Sequence, residues 1–233
     1  MVKACLTGEA MASSYPSSAE LAVLDPARRL ALAYAPAASK ELFSGFFLLN
    51  EKLRRLVSSA RQPMLAQLRL AWWRDQIAAL GAAPQPDPLL QLLAVSWKGC
   101  EESLLKLVDG WEELLGDRLP SQERYFSAVE KQAAPFCAIA SCTGTCVSSD
   151  AVRQASHLIV SAELINYFDE EKRLILRGLA ARSAIAGLRF CHSVCPIHVL
   201  YALAKRMLKR NRTQLLASPS DMAVAIRAGI MGL

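Results

Sequence analysis

Apolar positions recur along this chain at three- and four-residue intervals, and no stretch alternates over the length of a strand. The pattern predicts helix after helix. Asp25-Pro26 sets an N-cap and first-turn proline for a helix that runs to Tyr34, ahead of Pro36. Leu42, Phe43, Phe46, Phe47, Leu49, Leu53 and Leu56 give residues 39–59 a broad apolar face, with Glu51 and Arg55 as an i,i+4 ion pair. Pro63 opens the next helix, which stops near Gly81 and the breaker run AAPQPDP. Further helices are predicted over 87–97, 100–115, 121–141, 150–168 (continuing with a bend to 179), 196–211 and 219–230. Ser218-Pro219-Ser220-Asp221 is the start signal of the last one, with a cap, a proline and a carboxylate suited to the helix dipole.

Within 67–80, QLRLAWWRDQIAAL sets two adjacent tryptophans between arginines. Neighbouring helical residues point about 100° apart, so the two rings serve different faces. Leu65, Leu68, Trp72 and Gln76 form one stripe, and Arg69 and Trp73 the next. This spacing predicts Arg69 over the Trp73 ring as a cation–π pair. Both tryptophans are expected at a buried seam against the helix that carries Phe46 and Phe47.

Composition agrees with an all-α chain. Of 233 residues, 53% are hydrophobic, enough for a full core in one domain. Ala and Leu dominate over β-branched residues, which favours helices. No uncharged apolar run reaches the length of a membrane span, and no secretory signal pattern is visible, so the chain is expected in the cytoplasm. Residues 1–22 read as a mobile tail, with Met1 or Met11 as the start, and 23–233 as the helical domain. The seven cysteines include two i,i+4 pairs, Cys142 with Cys146 and Cys191 with Cys195, near His192 and His198. Their helical surroundings favour reduced core thiols over a zinc site, and an odd count opposes a complete disulfide framework. No GxGxxG, P-loop, HExxH or GxSxG motif occurs. Basic residues are not interleaved with aromatics, so no nucleic-acid partner is expected.

The helix SKELFSGFFLLNEKLRRL followed by QPMLAQLRLAWWRDQI resembles the squalene/phytoene synthase family. Arg69, Trp72, Trp73, Arg74 and Ile77 match that family's R-x-x-W-W-R-x-x-[IL] framework stretch, and the likeness covers roughly residues 25–80. Helix order and the closing SPSDMAVAIRAGI resemble short bacterial members and the branch of respiratory complex I assembly factors. The resemblance implies a single-domain helical bundle of the isoprenoid synthase type, with the tryptophan helix flanking its central cavity. It also implies head-to-head joining of prenyl diphosphates, using two D-x-x-x-D motifs that hold Mg²⁺ on facing helices. Here the chain departs from the pattern. No two aspartates are spaced i,i+4, and none lies between Asp25 and Asp75. Asn50 and Glu51 stand where the first motif belongs, and Glu163, Asn166, Asp169 and Glu170 where the second belongs. The expectation is a non-catalytic binding or assembly protein that needs no cofactor and has room for a prenyl lipid in its cavity. The alternative is a prenyltransferase of isoprenoid biosynthesis with a divergent Mg²⁺ site built from those six residues.

Charge adds a partner. Between Glu171 and Asp221 there are ten basic residues and no acid, while residues 1–171 carry sixteen basic and twenty acidic, a net −4. Ile197, Leu200, Tyr201, Ala204, Met207 and Leu208 should face the core. Lys205, Arg206, Lys209, Arg210 and Arg212 then form a surface for anionic lipid headgroups or an acidic protein, with a peripheral place on the inner membrane.

Overall fold

The computed structural model describes residues 16–60, 62–82, 87–116, 121–144, 147–165, 173, 177 and 192–231. Its regular elements are all helical: α1 (Ser18–Leu21), α2 (Pro26–Ala33), α3 (Ala37–Ser58), α4 (Pro63–Ala78), α5 (Pro88–Ser96), α6 (Glu101–Glu112), α7 (Gln122–Cys142), α8 (Ser149–Ile165), α9 (Cys195–Lys209) and α10 (Pro219–Met231), with a 3₁₀ turn at His192–Val194 before α9. Among the described residues no helix is long and apolar enough to cross a membrane. The short α1 has a capping box between Ser17 and Glu20 and lies inside the stretch expected to be a tail. Asn166, Asp169 and Glu170, like the continuation to 179 and the two alternative starts, lie outside the described residues apart from the helical Arg173 and Arg177.

Local chemistry explains the boundaries. Asp25 accepts from the backbone N–H groups of Ala27 and Arg28 and starts α2, with Pro26 where its missing N–H costs least. Asp87 and Ser121 cap α5 and α7 in the same way. The aromatic face of α3 lies at the centre of the bundle. Phe46 meets Phe136 of α7 edge to face at 4.8 Å and Trp97 at 6.4 Å, while the Trp97 indole donates to the Leu42 carbonyl. Around it α6 packs on α7, α7 on α8, α8 on α9 and α9 on α10. Gly229 lets α10 approach α2 closely, since a Cβ there would sit 2.6 Å from the Tyr34 ring.

The tryptophan helix turns the other way from expectation. Ala66, Leu70, Trp73 and Ile77 form its buried face, while Leu65 (52%), Leu68 (64%) and Trp72 (48%) are exposed. Trp72 is therefore not a core residue. Because α4 is apolar on two sides, periodicity alone did not choose between its stripes. Packing against α6 and α3 decides it, and the small Ala66 lies on the face so buried. Nor is Arg69 the cation over Trp73: Lys52 of α3 takes that place at 5.3 Å from the ring centroid, and Arg69 is exposed. Arg74 ties α4 to α6 through Asp109 at 2.6 Å and Glu112 at 2.5 Å.

At the other end, Asp221 does more than favour a helix dipole. Its carboxylate is 2% exposed and accepts from Arg206, Arg212, the Ser218 hydroxyl and the Ala217 N–H. Burial pushes its pKa up, but these donors and the Arg212 charge outweigh burial and hold it at about 2, below the ordinary 3.8.

Two outcomes follow from this packing. Trp73→Ala should lose about 3–5 kcal/mol in urea unfolding, whereas Trp72→Ala should lose under about 1 kcal/mol. Because the folded pKa of Asp221 is depressed, its stabilisation is present above pH 3.8 and is lost as pH falls towards about 2. The gap in unfolding free energy between wild type and Asp221→Asn should therefore narrow by about 2 kcal/mol as pH is lowered through that window.

Candidate functional site

Three carboxylates and three guanidiniums meet around a cavity of about 530 Å³ bounded by the start of α2, the C-terminal half of α3, α6, α7, α8 and residues 213–216. That volume is in the range of small-molecule sites. The polar lining includes Asp25, Arg28, Asn50, Glu51, Arg54, Arg55, Gln132, Glu163, Thr213 and Gln214, and the apolar lining includes Leu24, Trp111, Leu164, Leu215 and Leu216. Asn50 and Glu51, neighbours on α3, and Glu163, far along the chain on α8, are thus brought to one cavity.

Their partners define what the site can do. Glu51 is buried on α3, one turn before Arg54 and Arg55. Arg54 donates to both of its oxygens at 2.7 and 2.8 Å, and Arg55 donates to Oε1 at 2.5 Å. Burial alone would raise the Glu51 pKa, but the two guanidiniums lower it. Asn50 is also committed, its Oδ1 accepting from the Trp111 indole N–H at 2.8 Å. On the opposite side Arg28, only 3% exposed, sends Nε and Nη2 to the two oxygens of Glu163 at 3.2 and 2.6 Å. Its guanidinium carbon lies 5.4 Å from the Phe47 ring centroid. Burial opposes the Arg28 charge, yet Glu163 and Asp25 overcome it and raise its pKa. Glu163 moves the opposite way from Glu51: burial raises its pKa, and nearby Asp25 and Glu51 add to the rise that Arg28 opposes.

Sequence reasoning placed Glu51, its pairing with Arg55, and Glu163, but it missed Arg28. α2 carries two adjacent arginines, Arg28 buried and Arg29 exposed, and nothing local in the sequence tells them apart. The framework residues Arg69, Trp72, Trp73 and Arg74 do not line this cavity, as the resemblance had led one to expect of their helix. Trp73 and Arg74 fix α4 onto α3 and α6 instead.

The basic residues divide. Lys205, Lys209 and Arg210 are exposed, with Lys205 also 5.9 Å from the Tyr201 ring centroid. Arg206 and Arg212 are half-buried partners of Asp221. The i,i+4 cysteine pairs each have one member outside the described residues, Cys146 and Cys191. Among the described residues no group of three or more His, Cys, Asp or Glu is placed to hold a metal ion.

Comparison with protein-family models, curated proteins and solved structures finds no match for this chain.

The Arg28–Glu163 pair can be tested by a double-mutant cycle. Arg28→Met leaves a half-buried carboxylate without its partner and should cost about 3 kcal/mol in denaturant unfolding. Adding Glu163→Leu should recover much of that loss. A double variant whose loss equals the sum of the losses of Arg28→Met and Glu163→Leu alone would show that the two charges do not act as a pair.

Proposed function

We propose that this chain is a non-catalytic binding protein of the squalene/phytoene synthase type, holding an apolar, prenyl-like lipid chain in its cavity and resting on an anionic membrane surface. One observation carries the reading. Both carboxylates that occupy the family's motif positions among the described residues, Glu51 and Glu163, have guanidinium partners from the protein itself. Mg²⁺ requires oxygen ligands in near-octahedral geometry and neutralises a departing diphosphate. Here the oxygens of Glu51 and Glu163 already accept hydrogen bonds from Arg28, Arg54 and Arg55, and the Asn50 oxygen is held by Trp111. This donor set does not fit the metal.

The convergence of Asn50, Glu51 and Glu163 supports the likeness of fold and keeps prenyl transfer as the second reading. Two measurements test these readings. Purified protein given farnesyl diphosphate and Mg²⁺ should release no pyrophosphate, and solvent extraction of the native protein followed by mass spectrometry should yield an apolar-chain lipid. Sustained pyrophosphate release would overturn the non-catalytic reading. An extract without lipid would overturn the cavity occupant.

The membrane part rests on Lys205, Lys209 and Arg210. Exposed cations near an anionic bilayer contribute about 1 kcal/mol each, which gives reversible and salt-sensitive attachment. Vesicles of phosphatidylserine and phosphatidylcholine should carry the protein upward in flotation at low salt. The triple substitution of these residues by Glu should abolish that. If the wild type does not float at low salt, an acidic protein partner replaces the membrane.

A further inference from the structure

Two thiols stand apart from the cavity and from the Asp221 junction. Cys100 is the N-cap residue of α6, and Cys142 is the last residue of α7. They are 42 positions apart in the chain, yet their sulfurs lie 2.8 Å from each other. Their meeting follows from the register of the two helices. Glu113, just past the end of α6, bonds Ser127 and Lys131 near the start and middle of α7. Gly110 faces Gln132, whose amide donates to the Gly110 carbonyl. As residue numbers fall along α6 they rise along α7, so the pair is antiparallel and Cys100 comes opposite Cys142. The approach is tight, since a Cβ on Gly110 would lie 2.7 Å from Gln132 Cγ. The helices therefore hold the sulfurs together; no loop has to find the contact.

We propose that Cys100 and Cys142 are a redox-modification site, a dithiol that closes to a disulfide with a small-molecule disulfide of the glutathione class as oxidant. Cys142 is exposed and Cys100 half-buried, so the oxidant reaches Cys142 first. The Cys142 thiolate attacks one sulfur of oxidised glutathione, and the sulfur–sulfur bond breaks to release one glutathione thiolate. The resulting mixed disulfide lies beside Cys100. Cys100 then gives up its proton and attacks Cys142 Sγ, expelling the second glutathione thiolate. The two protein thiols lose two electrons and two protons in all, and oxidised glutathione becomes two reduced molecules. Burial and the adjacent Cys142 push the Cys100 pKa up to about 11, which disfavours Cys100 as the first nucleophile; its part in the second step rests on its place beside Cys142 Sγ. The sulfurs need move less than about 1 Å to reach the bonded separation of about 2.05 Å. Cys137, also on α7, is only half-buried, but burial and Glu130 raise its pKa, and no other described cysteine faces it.

The test uses the full chain in glutathione buffers from fully reduced to fully oxidised, quenched with an alkylating agent and digested without reductant. The expected result is a linked Cys100–Cys142 peptide that grows with the oxidised fraction and disappears with dithiothreitol. Closing a loop of 42 residues should also raise the melting temperature by roughly 5–10 °C. Cys142→Ser should remove both effects. Cys100→Ser should trap Cys142 as its glutathione adduct, because the resolving thiol is gone. The proposal is overturned if the fully oxidised wild type contains no such peptide. It is equally overturned if Cys142 is found only as the glutathione adduct or only linked to another cysteine.

Discussion

A guanidinium that is 3% exposed constrains everything around it. Arg28 has lost nearly all its water, and an unpaired charge in that position would cost several kcal/mol. Its compensation comes from three directions: Glu163 on α8, the capping Asp25 of its own helix, and the face of Phe47 on α3. Meeting those demands fixes the start of α2 between α3 and α8. With α2 in place, Tyr34 at its end lies over Gly229, so the close approach of α10 depends on the same arrangement. A buried pair of this kind adds little net stability over an apolar substitute of equal volume. What it excludes is any packing of α2 that leaves Arg28 or Glu163 alone.

The same pairing sets the chemistry of the cavity. Asp25, Glu51 and Glu163 balance Arg28, Arg54 and Arg55, so the lining contains as many guanidiniums as carboxylates. Carboxylates on facing helices repel unless something positive lies between them. In a metal-dependent enzyme that positive charge is a divalent ion, which leaves with or stays behind a diphosphate. Here covalently attached guanidiniums fill the role, and they remain whatever enters. Leu24, Trp111, Leu164, Leu215 and Leu216 add an apolar wall to this charge-balanced lining, which is the feature on which the proposed hydrocarbon occupant rests.

The helices were legible because their ends carry side-chain chemistry. Asp25-Pro26, Asp87-Pro88, Ser121 and Ser218-Pro219 each mark a start in one or two residues, and Gly81 and Gly116 with positive φ follow two of the helix ends. Rotation of a helix was less legible. On α4 the stripes through Leu68 and Trp72 and through Leu70 and Trp73 are both apolar, and only the neighbouring helices decide which is buried. The cavity was legible in part. Glu51 and Glu163 could be reached through the family resemblance, and Arg55 through helical spacing. Arg28 could not, because its partner lies 135 positions away and no local pattern reports such a contact.

Charge counting met the same limit in a different form. The acid-free run before Asp221 suggests a wide basic surface, but a sequence does not say where each charge is spent. Asp221 alone takes Arg206 and Arg212, and Arg177 donates to the Arg212 carbonyl at 2.9 Å. A single buried carboxylate with two guanidiniums thus converts part of an apparent docking face into the fastening between α9 and α10. Lys205, Lys209 and Arg210 keep their exposure at the end of α9, where the helix dipole also favours positive charge. Dipole and membrane make the same residues favourable for different reasons. The dipole acts within one turn and within the molecule, whereas attraction to a lipid surface decays over a Debye length and fades as salt is added. Loss of vesicle attachment with salt, at unchanged helix stability, is therefore the behaviour that belongs to a surface rather than to a helix end.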